Sequence, residues 1–281
     1  MKLLFILFPG NQVIKKEWDW IGYDNKKHQS ITNDFIKEIN KMGDIYFYEP
    51  TYYNLNHYNK GHEKWFKDDN IDFTKDDIDV DKVCAKIYND IKDFDGKLVP
   101  LGHSIGAYFV YHFAQKYSSK CLFGVIIDGM FINTSNNKLI NKNYKKNNKK
   151  YSKYTNEQIK NLTDKLKNND INDKEANKKI IRELSDMYFI HIANYEKQIK
   201  KNMKFKIPMI SFYNYHTDCN NKINKTLNEC TLSDVEFIRK YNDDKKYKII
   251  TFLDKTHFPH HVEESKNIIL DNITMMIHKY K

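Results

Sequence analysis

Residues 100 to 106 read Pro-Leu-Gly-His-Ser-Ile-Gly, with Ser104 framed by Gly102 and Gly106. A serine hydroxyl is a weak nucleophile until a histidine takes its proton and an acid holds that histidine in the useful tautomer. The chain supplies both, in the order serine, acid, histidine. Near the C-terminus, FLDKTHFPHHVEES offers His257 as the base, with His260 and His261 as competitors. Upstream, NYHTDCNN offers Asp218 as the acid. Asp128, in VIIDGMF, is the alternative, whereas Asp254 is too close to His257 in sequence to serve it. Acyl transfer also needs two preorganised N–H donors for the oxyanion. One belongs to Ile105, directly after the serine; FPGN supplies Asn11 as the other, with Gly10 allowing close approach. This chemistry is ester hydrolysis through an acyl-enzyme on Ser104, and it needs no cofactor. The plainer readings are a glycine-containing turn for Ser104, ordinary turn aspartates, and a solvated histidine loop; a metal site built from the three histidines and Glu263 fits less well.

The serine does its work only if a strand and a helix hold it. G-x-S-x-G between the two makes a turn so tight that the serine backbone is strained and flanking side chains would collide, hence the glycines. Leu98–Leu101 reads as that strand and Ile105–Tyr117 as the helix, whose N-terminal N–H groups favour developing negative charge. Five more short runs rich in β-branched and aromatic residues read as strands: Leu3–Phe8, Ile45–Tyr48, Leu122–Ile127, Pro208–Tyr213 and Lys248–Phe252. Helical periodicity marks Ile31–Met42, Val80–Ile91, Leu232–Tyr241 and Val262–His278 between and after them. Alternation of this kind predicts an α/β fold, a mostly parallel sheet of about six strands flanked by helices. Pro100 is an awkward member of a central strand because it has no N–H to donate.

The alternation breaks between Asn133 and Lys204, where the low-complexity stretch NKNYKKNNKKYSKY leads into helical patterns without a strand. Thr155 and Gln158 form a capping-box signature, and Ile180, Ile181, Leu184, Met187, Tyr188, His191, Ile192 and Tyr195 form an apolar stripe. Residues 133–204 are therefore expected to be a helical cap inserted into a core made of residues 1–132 and 205–281. A second excursion, Glu49 to Asp77, is rich in Tyr and Trp; Tyr52, Tyr53, Tyr58, Trp65 and Phe66 in it could line an acyl pocket or simply pack.

Net charge is +10, and all of it resides in the insertion: residues 133–204 hold 18 basic and 8 acidic side chains, and the rest of the chain holds 29 of each. The charge suits a solvated helical face, and also peripheral contact with an anionic lipid surface or an acidic substrate. Nucleic acid is not expected as a partner, since only Arg182 and Arg239 are arginines and no recognition motif is present. The cysteines Cys84, Cys121, Cys219 and Cys230 show neither CxxC nor zinc spacing, which favours a reduced, cytoplasmic setting. MKLLFILFPG has too short an apolar run for a signal peptide and reads as a buried strand; no run is long enough to span a membrane. A soluble or peripherally membrane-associated protein is expected.

GHSIG after a strand, an acid past a later strand and HFPHHVEES before the terminal helix resemble the α/β-hydrolase superfamily over essentially the whole core. The resemblance implies Ser104, Asp218 and His257 as nucleophile, acid and base, an oxyanion hole from the N–H groups of Asn11 and Ile105, and a cap inserted after the sixth family strand. It also departs from that pattern. Pro9 replaces the usual histidine before the oxyanion-loop glycine, and the chain begins at what would be the family's third strand, which predicts a smaller sheet. PGN with GHSIGAY is similar, over about ten residues, to lipid-droplet-associated hydrolases, which implies a lipid-ester substrate. A carboxylic ester is the expected substrate, with a lipid ester or thioester compatible. The alternative is a catalytically silent scaffold of this fold that binds a small ligand or protein partner.

Overall fold

Short apolar runs with no alternation of polarity must bury both faces, and that requirement is met by six parallel strands side by side. The structure, a computed structural model, describes residues 1–10, 18, 34–48, 79–129, 154–168, 173, 175–180, 183, 184, 187, 194–196, 205–214, 247–252 and 259–281. The strands are β1 (Leu3–Phe8), β2 (Asp44–Phe47), β3 (Lys97–His103), β4 (Gly124–Ile127), β5 (Met209–Asn214) and β6 (Tyr247–Phe252). They lie in the order β2-β1-β3-β4-β5-β6, every pair parallel. Helices with both ends among the described residues are α1 (Phe35–Met42), α2 (Val80–Ile91), α3 (Ala107–Lys116), α4 (Asn156–Asn168) and α5 (Glu263–Tyr280).

Period two along β1 distributes its side chains to two separate cores. Leu4, Ile6 and Phe8 join α2 and α3 on one face, while Leu3, Phe5 and Leu7 join Trp18, α1 and α5 on the other. The first core also takes in Ile159 and Leu166 of α4, together with Ile180, Leu184 and Met187. Those three belong to the expected stripe; its Ile181, Tyr188, His191 and Ile192 lie outside the described residues, as do the predicted helix Leu232–Tyr241 and the excursion from Glu49 to Asp77. On the second face Lys266 of α5 is buried against the carboxylates of Asp34, before α1, and Glu263. Burial alone would lower its pKa, but the two carboxylates raise it, so the ammonium ties α5 to α1 as a charge.

Caps follow the sequence. The Asp79 carboxylate accepts from the N–H groups of Asp81 and Lys82 to start α2. At α4 the Thr155 N–H donates to Gln158 Oε1 at 2.9 Å and the Gln158 N–H to Thr155 Oγ1 at 3.3 Å, the reciprocal capping box. Pro100 occupies the interior of β3, opposite Ile6 of β1. Two residues earlier the Leu98 N–H points away from β1, to the Lys120 carbonyl, so the missing Pro100 N–H faces the β4 side. Before the proline, Leu98 forms an isolated parallel bridge with Cys121 and accepts from the Leu122 N–H at 2.9 Å; the ladder is interrupted at Pro100 and runs on from Leu101 with Val125, so β4 starts at Gly124 rather than at the expected Leu122. Of the cysteines, Cys84 and Cys121 are free and buried, burial pushing the Cys121 thiol up to about 12; Cys219 and Cys230 lie outside the described residues.

Candidate active site

At the C-terminal end of β3 the chain turns through Ser104–Gly106, a single 3-10 turn, into α3. The expected helix thus begins at Ala107, because the turn at the serine is tighter than an α-helix permits. Ser104 has φ 54°, the left-handed region that a residue with a side chain rarely adopts. The flanking glycines are sterically obligatory. A Cβ on Gly102 would stand 2.5 Å from the Gly106 carbonyl oxygen, and one on Gly106 would stand 2.2 Å from the Phe8 carbonyl oxygen and 2.9 Å from that of Pro9. The loop leaving β1 therefore lies directly against the serine turn. Gly10 continues this contact, since a Cβ there would meet Ser104 Cβ at 2.9 Å and His103 Nδ1 at 2.7 Å. Ser104 and Ile105 are both buried.

Of the predicted site residues, Ser104 and Ile105 lie in this turn; Asn11, Asp218 and His257 lie outside the described residues. Their nearest described neighbours bracket the same corner. Gly10, one residue before Asn11, touches the serine turn. Asn214, four residues before Asp218, ends β5 at the same C-terminal sheet edge, two strands from β3. Pro259–His261 forms a 3-10 turn before α5, and the His260 ring lies 5.0 Å from the ring of His103, the residue just before Ser104. Trp18 fills the space beside them, 5.1 Å from His260 and 6.3 Å from His103, and Phe35 closes the far side. His260 and His261 are both buried.

Asp128, the alternative acid, directly follows β4, the strand next to β3. It is fully buried, has φ 48°, and its Oδ1 accepts the Asn214 N–H at 3.1 Å while its own N–H donates to the Phe212 carbonyl at 2.6 Å. Aspartate tolerates the left-handed region because its short polar side chain bonds locally.

Sequence reasoning missed a polar line running down α3 from the serine. Tyr108, His112 and Lys116 follow Ser104 at steps of four, so they share one face of the helix. Tyr108 Oη donates to Glu196 Oε2 at 2.7 Å, with both residues buried. His112 Nδ1 lies 2.5 Å from Tyr195 Oη, and its Nε2 lies 3.0 Å from Asp81 Oδ1 but too bent for a good hydrogen bond. Lys116 pairs with the same Asp81 carboxylate, which that bond holds below its ordinary range. Burial pushes His112 down to about 4, against the pull of Asp81, so its ring is neutral at pH 7. The spacing of four was the visible signal; the partners, 83 and 88 residues away, had none.

Among the described residues no group of His, Cys, Asp and Glu side chains is arranged to hold a metal ion, and no helix is long and apolar enough to cross a membrane.

No protein-family model and no curated protein sequence matches the chain. Solved structures do. A carboxylesterase of the thaumarchaeon Nitrososphaera gargenis superposes with TM-score 0.56 at 11% identity, covering 99% of this chain and 92% of its own. A monoacylglycerol lipase of Paleococcus ferrophilus gives 0.55 at 12% identity over 98% and 94%. Mouse alpha/beta hydrolase domain-containing protein 10 gives 0.51 at 11% identity over 99% and 90%. With a parallel six-stranded sheet and a strand–serine–helix elbow, the chain has the α/β-hydrolase fold.

Proposed function

We propose that the protein is a serine hydrolase that cleaves a carboxylic ester through an acyl-enzyme on Ser104. The observation that carries this reading is the strained backbone of Ser104, φ 54°, on an elbow against which the Pro9–Gly10 loop is packed without room for a single methyl group. Strain of this kind persists only where the surroundings impose it, and here it would hold Oγ at the head of α3. Esterases and lipases among the proteins of like fold support the reaction class.

In the proposed mechanism His257 takes the proton from Ser104 Oγ as the oxygen attacks the ester carbonyl carbon. The carbonyl π pair moves to oxygen, where the N–H groups of Ile105 and Asn11 stabilise it. As the tetrahedral intermediate collapses, the C–O bond to the alcohol breaks and His257 returns the proton to the leaving oxygen. Water then repeats the sequence on the acyl-enzyme and releases the acid. Asp218 holds the imidazole tautomer. The contact of His260 with His103, the residue before Ser104, supports His257, three residues upstream of His260, as the base. Gly10 against Ser104 similarly supports Asn11 as a donor.

A fluorophosphonate probe is expected to label the wild type and not Ser104→Ala; an unlabelled, folded wild type refutes the proposal and leaves the ligand-binding scaffold. His257→Ala and Asp218→Asn should each lose most turnover of a p-nitrophenyl ester while keeping the fold. Full activity in Asp218→Asn combined with loss in Asp128→Asn transfers the acid role to Asp128.

A further inference from the structure

The contacts of Tyr108 and Glu196 are more than the packing of one segment on another. The chain between β4 and β5 already has an apolar hold on the core, through Ile159, Leu166, Ile180, Leu184 and Met187. Apolar contacts are tolerant of sliding, because one methyl group replaces another at little cost. To this seam are added two side-chain bonds from the consecutive residues Tyr195 and Glu196 to His112 and Tyr108, one helical turn apart on α3. Glu196 is fully buried, and removing a carboxylate from water is costly unless it is hydrogen-bonded. Moving the segment by one residue along α3 would break the Tyr108 bond to that carboxylate, so the pair of bonds admits one register where the apolar seam would admit several. Buried polar groups are best attested in this registry role.

The place of this clamp ties it to the chemistry. Tyr108 is one turn beyond Ser104, and the same stretch of α3 carries Phe109, which stacks on Phe8 at the end of β1 with ring centroids 5.3 Å apart. Tyr48, at the end of β2, packs against both rings. The elbow and this aromatic group therefore share a rigid backbone, and the inserted segment is held to that backbone through Tyr108.

We propose that Tyr108 and Glu196 are positioning residues that fix the register of the inserted segment on the nucleophile helix, and so set which acyl chains the site accepts. The inference rests on the hydrolase reading above. Its test is the ratio of kcat/KM for p-nitrophenyl decanoate to that for p-nitrophenyl acetate, measured in the full chain for the wild type, Tyr108→Phe, Glu196→Met and Glu196→Gln. On this proposal a decanoyl chain meets the inserted segment and an acetyl group does not. Tyr108→Phe and Glu196→Met are expected to change the ratio by about tenfold. Glu196→Gln, whose amide oxygen still accepts from Tyr108, should restore it to within about twofold. A role in stability alone would lower the Tm and scale both esters together. If the wild type turns over esters and folded Tyr108→Phe keeps the wild-type ratio, the positioning role is refuted and the hydrolase reading stands. If the wild type neither turns over esters nor reacts with the fluorophosphonate, both fall. Tyr108→Phe loses only a hydroxyl, so it decides the matter even if Glu196→Met does not fold.

Discussion

Replacing Gly106 by alanine puts a methyl group 2.2 Å from the carbonyl oxygen of Phe8 and 2.9 Å from that of Pro9, inside the distances that real Cβ atoms keep. The backbone at 106 does not object, since its φ of −54° and ψ of −21° suit any residue. The whole penalty is therefore steric. Phe8 cannot retreat easily, because it is paired with Gly102 in the β1–β3 ladder and its ring is stacked on Phe109. Relief takes a shift of about 1 Å between the serine turn and the Pro9–Gly10 loop. Overpacking of this kind costs roughly 1–3 kcal/mol, offset by about 1 kcal/mol from replacing glycine in a helix-like conformation. The net loss of about 0–2 kcal/mol lowers the Tm by at most a few degrees in a domain of this size. The chemistry suffers more, because a misplacement of about 1 Å in a reacting constellation costs about a hundredfold in rate. Gly96→Ala is the control: its Cβ would meet the Lys2 carbonyl oxygen at 2.5 Å, a similar clash at the opposite end of β1. Thermal unfolding and the second-order rate of fluorophosphonate labelling separate the two. Gly96→Ala should lose stability and keep the wild-type rate; Gly106→Ala labelling at the wild-type rate would refute the assigned role of the elbow.

Neutral His112 makes stability depend on pH: with its folded pKa depressed to about 4 from 6.5, the unfolded chain binds the extra proton between those values. The corresponding stability, roughly 3 kcal/mol, is fully present above pH 6.5 and is lost as pH falls through about 4. Urea unfolding at pH 7 and pH 4.5 should show a smaller loss in His112→Gln than in the wild type, and equal losses would contradict this. Asp128→Ala forfeits both the tolerance of φ 48° and the acceptor for the buried Asn214 N–H, and should cost about 2–4 kcal/mol, whereas Asp128→Asn keeps both and should cost less. On α4, Lys160 and Lys165 are exposed opposite buried Ile159 and Leu166, in the segment that carries the net charge. Vesicles containing anionic lipid are expected to float the protein at low salt and release it at high salt, while uncharged vesicles do not; equal binding to both would discard the electrostatic attraction.

Six strands, in type and order, were legible in the chain because each is a short apolar run with its own boundaries, and Leu3–Phe8 and Val80–Ile91 appear with the ends the sequence suggests. The capping box at Thr155 was legible for the same reason: both its partners lie within one turn. Where the reading slipped, the cause was a neighbour on another strand. Leu122 and Phe123 have the composition of a strand, and the Leu122 N–H does bond to Leu98, yet the ladder is interrupted at Pro100 of β3 and continuous pairing begins only at Val125.

By itself, then, the sequence determined the alternation of strands and helices, the two buried faces of strands such as β1, and the glycine-framed serine between β3 and α3, because all of these are encoded within a few residues of one another. The tertiary structure decided that the Pro9–Gly10 loop, nearly a hundred residues before the serine, closes against it, and that His260 meets His103. It likewise decided that Glu196 finds Tyr108. Periodicity states which face of an element is apolar or polar, but the partner of that face is chosen by sheet order and packing, which no local pattern contains.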